Sequence, residues 1–371
     1  MKIKDIITIL EEMAPLAYAE DFDNVGLLVG NQDIEATGVL VCHDALEQVI
    51  NEAIQEKCNL VVCFHPILFL GLKKITGKDY IERAIIKAIK NDVAIYAVHT
   101  ALDNHSNGVN KIFCDALGLI NTKILVPKEH YIYKLTTYTI PENVPKVKAA
   151  LFAAGAGKIG NYEECSFMSD GIGTYKGGDL SNPVIGNKYE LVEAKEVKIE
   201  VTFEKHLQNK IVNALFESHI YEEVAHEIVL LENKHQNIGL GMIGDLPNEM
   251  DEKAFLEFVK EKMQCGGIRH SAYLNKPIKR VAVLGGSGSF AISVAKKSGA
   301  DIFLTADLKY HQFYESENQM IIADIGHFES ERYTKNYIVD FLKEKISKFA
   351  TALLESKIVL SKENTNPVKY L

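Results

Sequence analysis

Six short apolar runs, three near each end of the chain, stop on polar residues and hand over to helical patterns. In the first set they are GVLVCHD, NLVVCFHP and VAIYAVHTALD, separated by EQVINEAIQEKC and IERAIIKAIKND and followed by a helix through Val109 to Leu117. In the second they are KRVAVLGGSGS, DIFLTADLKYH and QMIIADIGHFES, with FAISVAKKSGA between the first two and a long helix from about Tyr333. Continuous apolar strands alternating with helices are what a mostly parallel sheet covered on both faces requires. The chain is expected to be an α/β protein with two related core halves, residues 1–127 and 236–371.

Residues 128–235 follow a different grammar. YIYKLTTYTIP, CSFMSDGIGTYKGG, EVKIEVTFEK and HEIVLLEN have strand patterns, while VPKVKAALFAAGAG and LQNKIVNALFES have helical ones. The resulting β-α-β-β-α-β order predicts a ferredoxin-like α+β domain inserted between the halves.

Charge and apolar patterning exclude several function classes. The 371 residues carry 41 Lys and Arg against 50 Asp and Glu, a net charge of -9, which lacks the basic footprint of a nucleic-acid binder. Even the most apolar stretch, NLVVCFHPILFLGL, is broken by His65 and Pro66, so no membrane span is expected. MKIKDIITILEEMAP reads as an amphipathic helix of the mature chain, not a secretory leader. The six cysteines form no C-x-x-C pair and read as buried free thiols of a cytoplasmic protein.

The polar residues at the strand ends are the candidate site. VAIYAVHTALD lies over IIADIGHFESE at a constant offset of 228, pairing His99 with His327 and Asp103 with Glu331; at an offset of 242, CNLVVCFH lies over ADIFLTAD and pairs His65 with Asp307. Ligands of open α/β sheets bind beyond the carboxyl ends of the strands. There, His65, His99, Asp103, Asp307, His311, His327 and Glu331 offer the imidazole and carboxylate set that suits divalent transition metals. His43, His130, His206, His219, His226, His235 and His270 lack that placement and read as surface or packing residues, and His105 lies in the turn DNHSNG. Gly285 to Ser289 (GGSGS), between a strand and a helix, is either an anion cradle or a tight turn, and Asp21 to Gly26 reads as a turn in preference to acids that approach a metal.

Taken together, DNVGLLVG, FHPILF, HTALDNHSNGVN, GGSGS, TADLKYHQ and DIGHFESE resemble the Nif-three-like dinuclear-metal family, whose members carry the name GTP cyclohydrolase 1 type 2 homologue. AGAGKIGNYEECSF and ESHIYEEVAHEI resemble the PII-like or CutA-like insertion of its longer members. The resemblance implies a homohexameric toroid and one or two divalent ions per chain (Zn, Fe, Mn or Co) held by His65, Asp103, His327 and Glu331. It also implies one departure. The family motif has two adjacent histidines before the proline, and here the first is Phe64. His99, Asp307 and His311 are then expected behind the ligands, orienting them.

The activity implied is metal-dependent hydrolysis of a small molecule, with water activated by the ion and a nucleotide-like substrate suggested by the family name. A metal-binding or regulatory ring without catalysis is the alternative, to which the substitution at Phe64 lends weight.

Overall fold

The computed structural model describes residues 1–349 and 357–371. These divide into two compact units, residues 1–126 with 238–371, and Pro127–Asn237.

The larger unit is a mixed α/β structure with two sheets. In the first, Gly26–Val29, Ala94–Ala97, Leu60–His65, Val39–Asp44 and Ile358–Leu360 lie side by side in that order. The last four run parallel, and Gly26–Val29 pairs antiparallel with Ala94–Ala97. Alternation along the two central strands serves two cores at once. Val39, Val41, Leu60, Val62 and Phe64 pack against Ile3, Ile6 and Leu10 of the N-terminal helix Ile3–Met13 and Ile338 and Leu342 of the helix Thr334–Phe349. Leu40, Cys42, Val61 and Cys63 face the other way, onto the helices Glu47–Gln55 and Tyr80–Lys90. A sheet buried on both faces has no place for polar residues except its ends, and that is where they stand.

The second sheet repeats the device. Arg269–His270, Ile321–Asp324, Ile302–Ala306, Ile278–Ser287, Gly239–Met250 and Ile120–Pro127 are its strands in order, with the middle trio Ile278–Ser287, Ile302–Ala306 and Ile321–Asp324 parallel. In both sheets the third strand of the parallel trio pairs antiparallel with a short outer strand. That third strand is followed in each case by a five-residue helix, His99–Asp103 or His327–Glu331. The two H-x-x-x-acid segments aligned in sequence therefore occupy matching places.

Residues 236–275, assigned to the second half in sequence without elements of their own, supply the 12-residue strand Gly239–Met250 and the helix Glu252–Lys262. The strand was hidden because Pro247 and the polar pair after it interrupt alternation, and its register with Ile278–Ser287 does slip between Asp245 and Met250. The helix opens on Asp251, whose carboxylate accepts from the amides of Lys253 and Ala254.

In the smaller unit, Phe167–Lys176, Leu191–Glu204, Ile132–Thr139 and His226–Leu231 form an antiparallel sheet in that order. The helices Val144–Ala153 and Gln208–Ser218 bury Val147, Leu151, Ile211 and Leu215 against Leu135, Ile199 and Val201. All six cysteines are unpaired, and five of them are buried. No helix among the described residues is long and apolar enough to cross a membrane.

Candidate metal centre

Strand pairing carries His65 and Asp44 to one edge of the first sheet, where parallel register sets them side by side. His65 Nδ1 lies 2.9 Å from Asp44 Oδ1. In the second sheet His327 Nδ1 lies 2.6 Å from Asp307 Oδ2, which also accepts from the Ser287 hydroxyl. A carboxylate that takes the Nδ1 proton fixes the tautomer and leaves the Nε2 lone pair free to bind a cation. Both Nε2 atoms then point to a single place: they are 3.4 Å apart, and Glu331 Oε2 lies 3.3 Å from that of His65 and 3.4 Å from that of His327.

These spacings suit a metal. A tetrahedron whose centre lies about 2.1 Å from each corner has edges of about 3.4 Å. Glu331 Oε2 and Asp103 Oδ1 are each buried without a hydrogen-bond partner, a state that a bound cation would relieve. His65, His327 and Glu331 could together hold a metal ion.

The charges interlock. Burial pushes the Glu331 carboxyl up, but the adjacent His327, with His43 and His65, outweighs burial and holds it well below its ordinary value. Burial depresses His65, and the carboxylates of Asp44 and Glu331 beside it reverse this, raising it to about 9. His327 is raised to about 11, burial being overcome by the Glu331 charge and by Asp307. Asp103 goes the opposite way, pushed well above its ordinary value by burial and by the Glu331 charge. Glu331 and Asp103 cannot both be ionised comfortably without positive charge beside them, which here comes from the imidazoles and which a bound cation would also supply.

Of the four residues implied by resemblance, His65, His327 and Glu331 form the tight trio. Asp103 stands beside Glu331, His327 and His99 in the wall of a cavity of about 580 Å³. A second cavity, of about 400 Å³, is lined by His65, His43, Asp44, Asp307, His327 and Arg269. His327 borders both.

His99, expected behind the ligands to orient Asp103 or a bound water, has its Nδ1 2.8 Å from Asp23 Oδ1, and its ring sits edge-on to that of His65 with centroids 5.3 Å apart. Asp23 is more than a turn residue, since it also accepts from the Thr100 amide at 3.1 Å and from the Thr100 hydroxyl. It pins the first turn of the helix His99–Asp103, where His99 has φ +21°. His311 is exposed and packs against Tyr310 and Tyr314.

The glycine loop is also resolved. Its first three residues belong to the strand Ile278–Ser287, and the amides of Gly285 and Gly286 donate to Asn110 Oδ1 and Ser330 Oγ. Those two N–H groups are spent within the protein, so they do not cradle an anion. The glycines are needed for another reason. Gly286 has φ +68°, and a Cβ there would lie 2.6 Å from Glu331 Oε1.

The sequence reading missed His43, which is 3 % exposed and brings Nε2 within 3.3 Å of Glu331 Oε2. The available signal was position: His43 continues the inward row Val39, Val41 at strand spacing, where an apolar residue is the rule.

Two related α/β sheets that meet at an imidazole and carboxylate cluster able to hold a metal ion define the class, and comparison gives the family. The model of the Duf34/NIF3 family (NGG1p interacting factor 3) matches residues 1–367, and the chain belongs to that family. It is 38% identical to a "GTP cyclohydrolase 1 type 2 homolog" of Bacillus subtilis (strain 168), covering 99% of this chain and 98% of the relative. A relative of the same name from Halalkalibacterium halodurans is 36% identical, over 99% and 98%. The crystal structure of a Bacillus cereus protein related to NIF3 superposes with a TM-score of 0.84 at 36% identity, covering 100% of this chain and 99% of that one.

Proposed function

We propose that this protein is a divalent-metal-dependent hydrolase, with one or two ions of Zn, Fe, Mn or Co held by His65, Asp103, His327 and Glu331. The observation that carries the reading is the triangle of His65 Nε2, His327 Nε2 and Glu331 Oε2, with sides of 3.3, 3.4 and 3.4 Å. A bound divalent ion supplies a Lewis acid that lowers the pKa of water towards about 7. The chain's own residues do the rest: Asp44 and Asp307 fix the two imidazoles through Nδ1, which keeps both Nε2 atoms aimed at the ion.

The cavity bordering Asp103 and Glu331 favours a small planar substrate. The exposed rings of Phe22 and Phe290 line it, and aromatic faces suit a heterocycle such as a nucleobase. No Lys or Arg is among its lining residues, so a nucleotide's phosphates would have to reach the metal or Arg269 of the second cavity. This supports a base- or nucleoside-like substrate over a triphosphate. The relatives' name, which specifies GTP, supports the base of such a substrate and not the preference against its phosphates, which the assays below decide. The reading is completed by a cytoplasmic homohexameric ring and by a ferredoxin-like insertion of the PII or CutA kind at residues 128–235.

Elemental analysis of the purified chain, paired with hydrolysis assays on nucleosides, nucleotides and cyclic amides after loading with each metal, tests this. Bound metal with turnover that Glu331→Gln abolishes is expected. Metal without turnover would favour a regulatory ring, and absence of metal would end the metal reading.

A further inference from the structure

We propose that His43 is a ligand of this centre, its Nε2 sharing a metal ion with the Glu331 carboxylate. The proposal rests on the metal reading above and adds to it a residue from a neighbouring strand.

His43 sits in a row where every other inward residue is apolar. Val39 and Val41 precede it on the same face, and the rings of Phe64 and Phe328 lie 5.4 and 5.0 Å from its own. It is 3 % exposed, and neither ring nitrogen makes a hydrogen bond. A buried histidine kept for structure finds partners, as His219 does here: its Nε2 lies 3.0 Å from the Tyr138 carbonyl oxygen, and its Nδ1 accepts from the Tyr221 amide. His43 has no such bond. What it faces is Glu331 Oε2, 3.3 Å away and likewise without a hydrogen bond. That separation equals the one between Glu331 Oε2 and His65 Nε2, and it matches the edge expected for two donors on one ion. Two orphaned, buried donor atoms of complementary chemistry at ligand spacing point to a cation that binds both.

The register explains where this imidazole came from. Cys42 pairs with Cys63 and Asp44 with His65, which sets His43 beside Phe64 on the same face of the sheet. Adjacent strands lie about 4.8 Å apart. The imidazole that the family motif would place at residue 64 is thus supplied from one strand over, and the phenyl ring of Phe64 packs against it.

The test uses the full chain, loaded with Zn or Co and checked for fold by circular dichroism. Metal per chain, chelator competition and the visible spectrum of the Co form are compared for the wild type, His43→Leu, His43→Gln, His327→Ala and the double variant His43→Leu with Phe64→His. His43→Leu is expected to remain folded, to lose at least tenfold in metal affinity and to change the Co spectrum, and the double variant is expected to recover part of that loss. His43→Gln gives the same readouts should the leucine variant not fold. If both His43 variants match the wild type in content, chelator titration and Co spectrum while His327→Ala loses metal, the assignment of His43 is overturned. If His327→Ala also matches the wild type, the reading of the centre itself is overturned.

Discussion

The Nε2 atoms of His65 and His327 lie 3.4 Å apart although 262 residues separate them in the chain. His65 ends a strand of one sheet and His327 opens the helix after a strand of the other, and each is braced through Nδ1 by a carboxylate at or just past the end of the neighbouring strand, Asp44 for one and Asp307 for the other. The site is consequently a property of the docked halves. Neither half alone holds more than one of these braced imidazoles.

The two braces should be separable. Asp44→Asn and Asp307→Asn each keep the side-chain shape but remove the charge that fixes the imidazole tautomer, which typically weakens metal binding by about 10–100-fold. Because they act on different histidines, their losses in log affinity should add in the double variant. Chelator competition on the three variants measures this, and a double variant no weaker than the single ones would mean that the braces act through one shared group.

Gly286 is predicted to be intolerant of any side chain. With φ +68° and a Cβ position 2.6 Å from Glu331 Oε1, Gly286→Ala must displace the carboxylate or the strand. The backbone strain alone is worth about 1–2 kcal/mol. Thermal unfolding should show that loss, and metal content should fall with it. Gly118, whose φ of +67° leaves a Cβ in open space, is the control: alanine there should cost stability without touching metal content.

Glu82 should shape the acid limb of the stability curve. Its carboxylate accepts from the amide of Lys78 and from the amide and hydroxyl of Thr76, which holds its pKa down at about 2. A carboxyl lowered in the folded state stabilises fully above its unfolded value and loses that contribution as pH falls towards the folded one. Wild type and Glu82→Gln should therefore differ most above about pH 5 and converge near pH 2, as followed by circular dichroism. A constant difference across that range would show that the loop is held by something other than the ionised carboxylate.

The inserted segment should be removable. His235 donates its amide to the Lys128 carbonyl at 2.9 Å, so the chain enters and leaves the smaller unit at neighbouring points. Replacing residues 128–235 by a short flexible linker should leave a folded remainder that retains metal. Insoluble or metal-free product with every linker tried would show that the core depends on the segment.

Much of this was legible in the sequence because buried parallel strands announce themselves as unbroken apolar runs, and their polar stops mark the sheet ends. His65, His327 and Glu331, which the structure brings together, could be picked out on that basis together with the motif resemblance. His43 could not, since one polar residue within a strand looks the same whether it is packing, exposed or facing a carboxylate 288 positions later. The part played by Asp23 was hidden similarly: a turn motif discloses nothing of the partner, Thr100 and His99, that folding brings to it. Pro247 concealed a strand because local propensity was overridden by pairing with two neighbours.

The strand Ile358–Leu360 lies parallel against Val39–Asp44, and a few residues later the Thr365 hydroxyl donates to Asp44 Oδ2 at 2.6 Å while the Asn366 amide donates to Glu329. A ribosome that has released every residue up to Glu331 still has to deliver the strand that edges the first sheet and the hydroxyl that steadies Asp44. Domains tend to fold in the order in which they emerge. Here the first sheet waits for a strand that follows Glu331 in the chain, so a product truncated before Ile358 would hold all the histidines of the centre and still lack the geometry to use them.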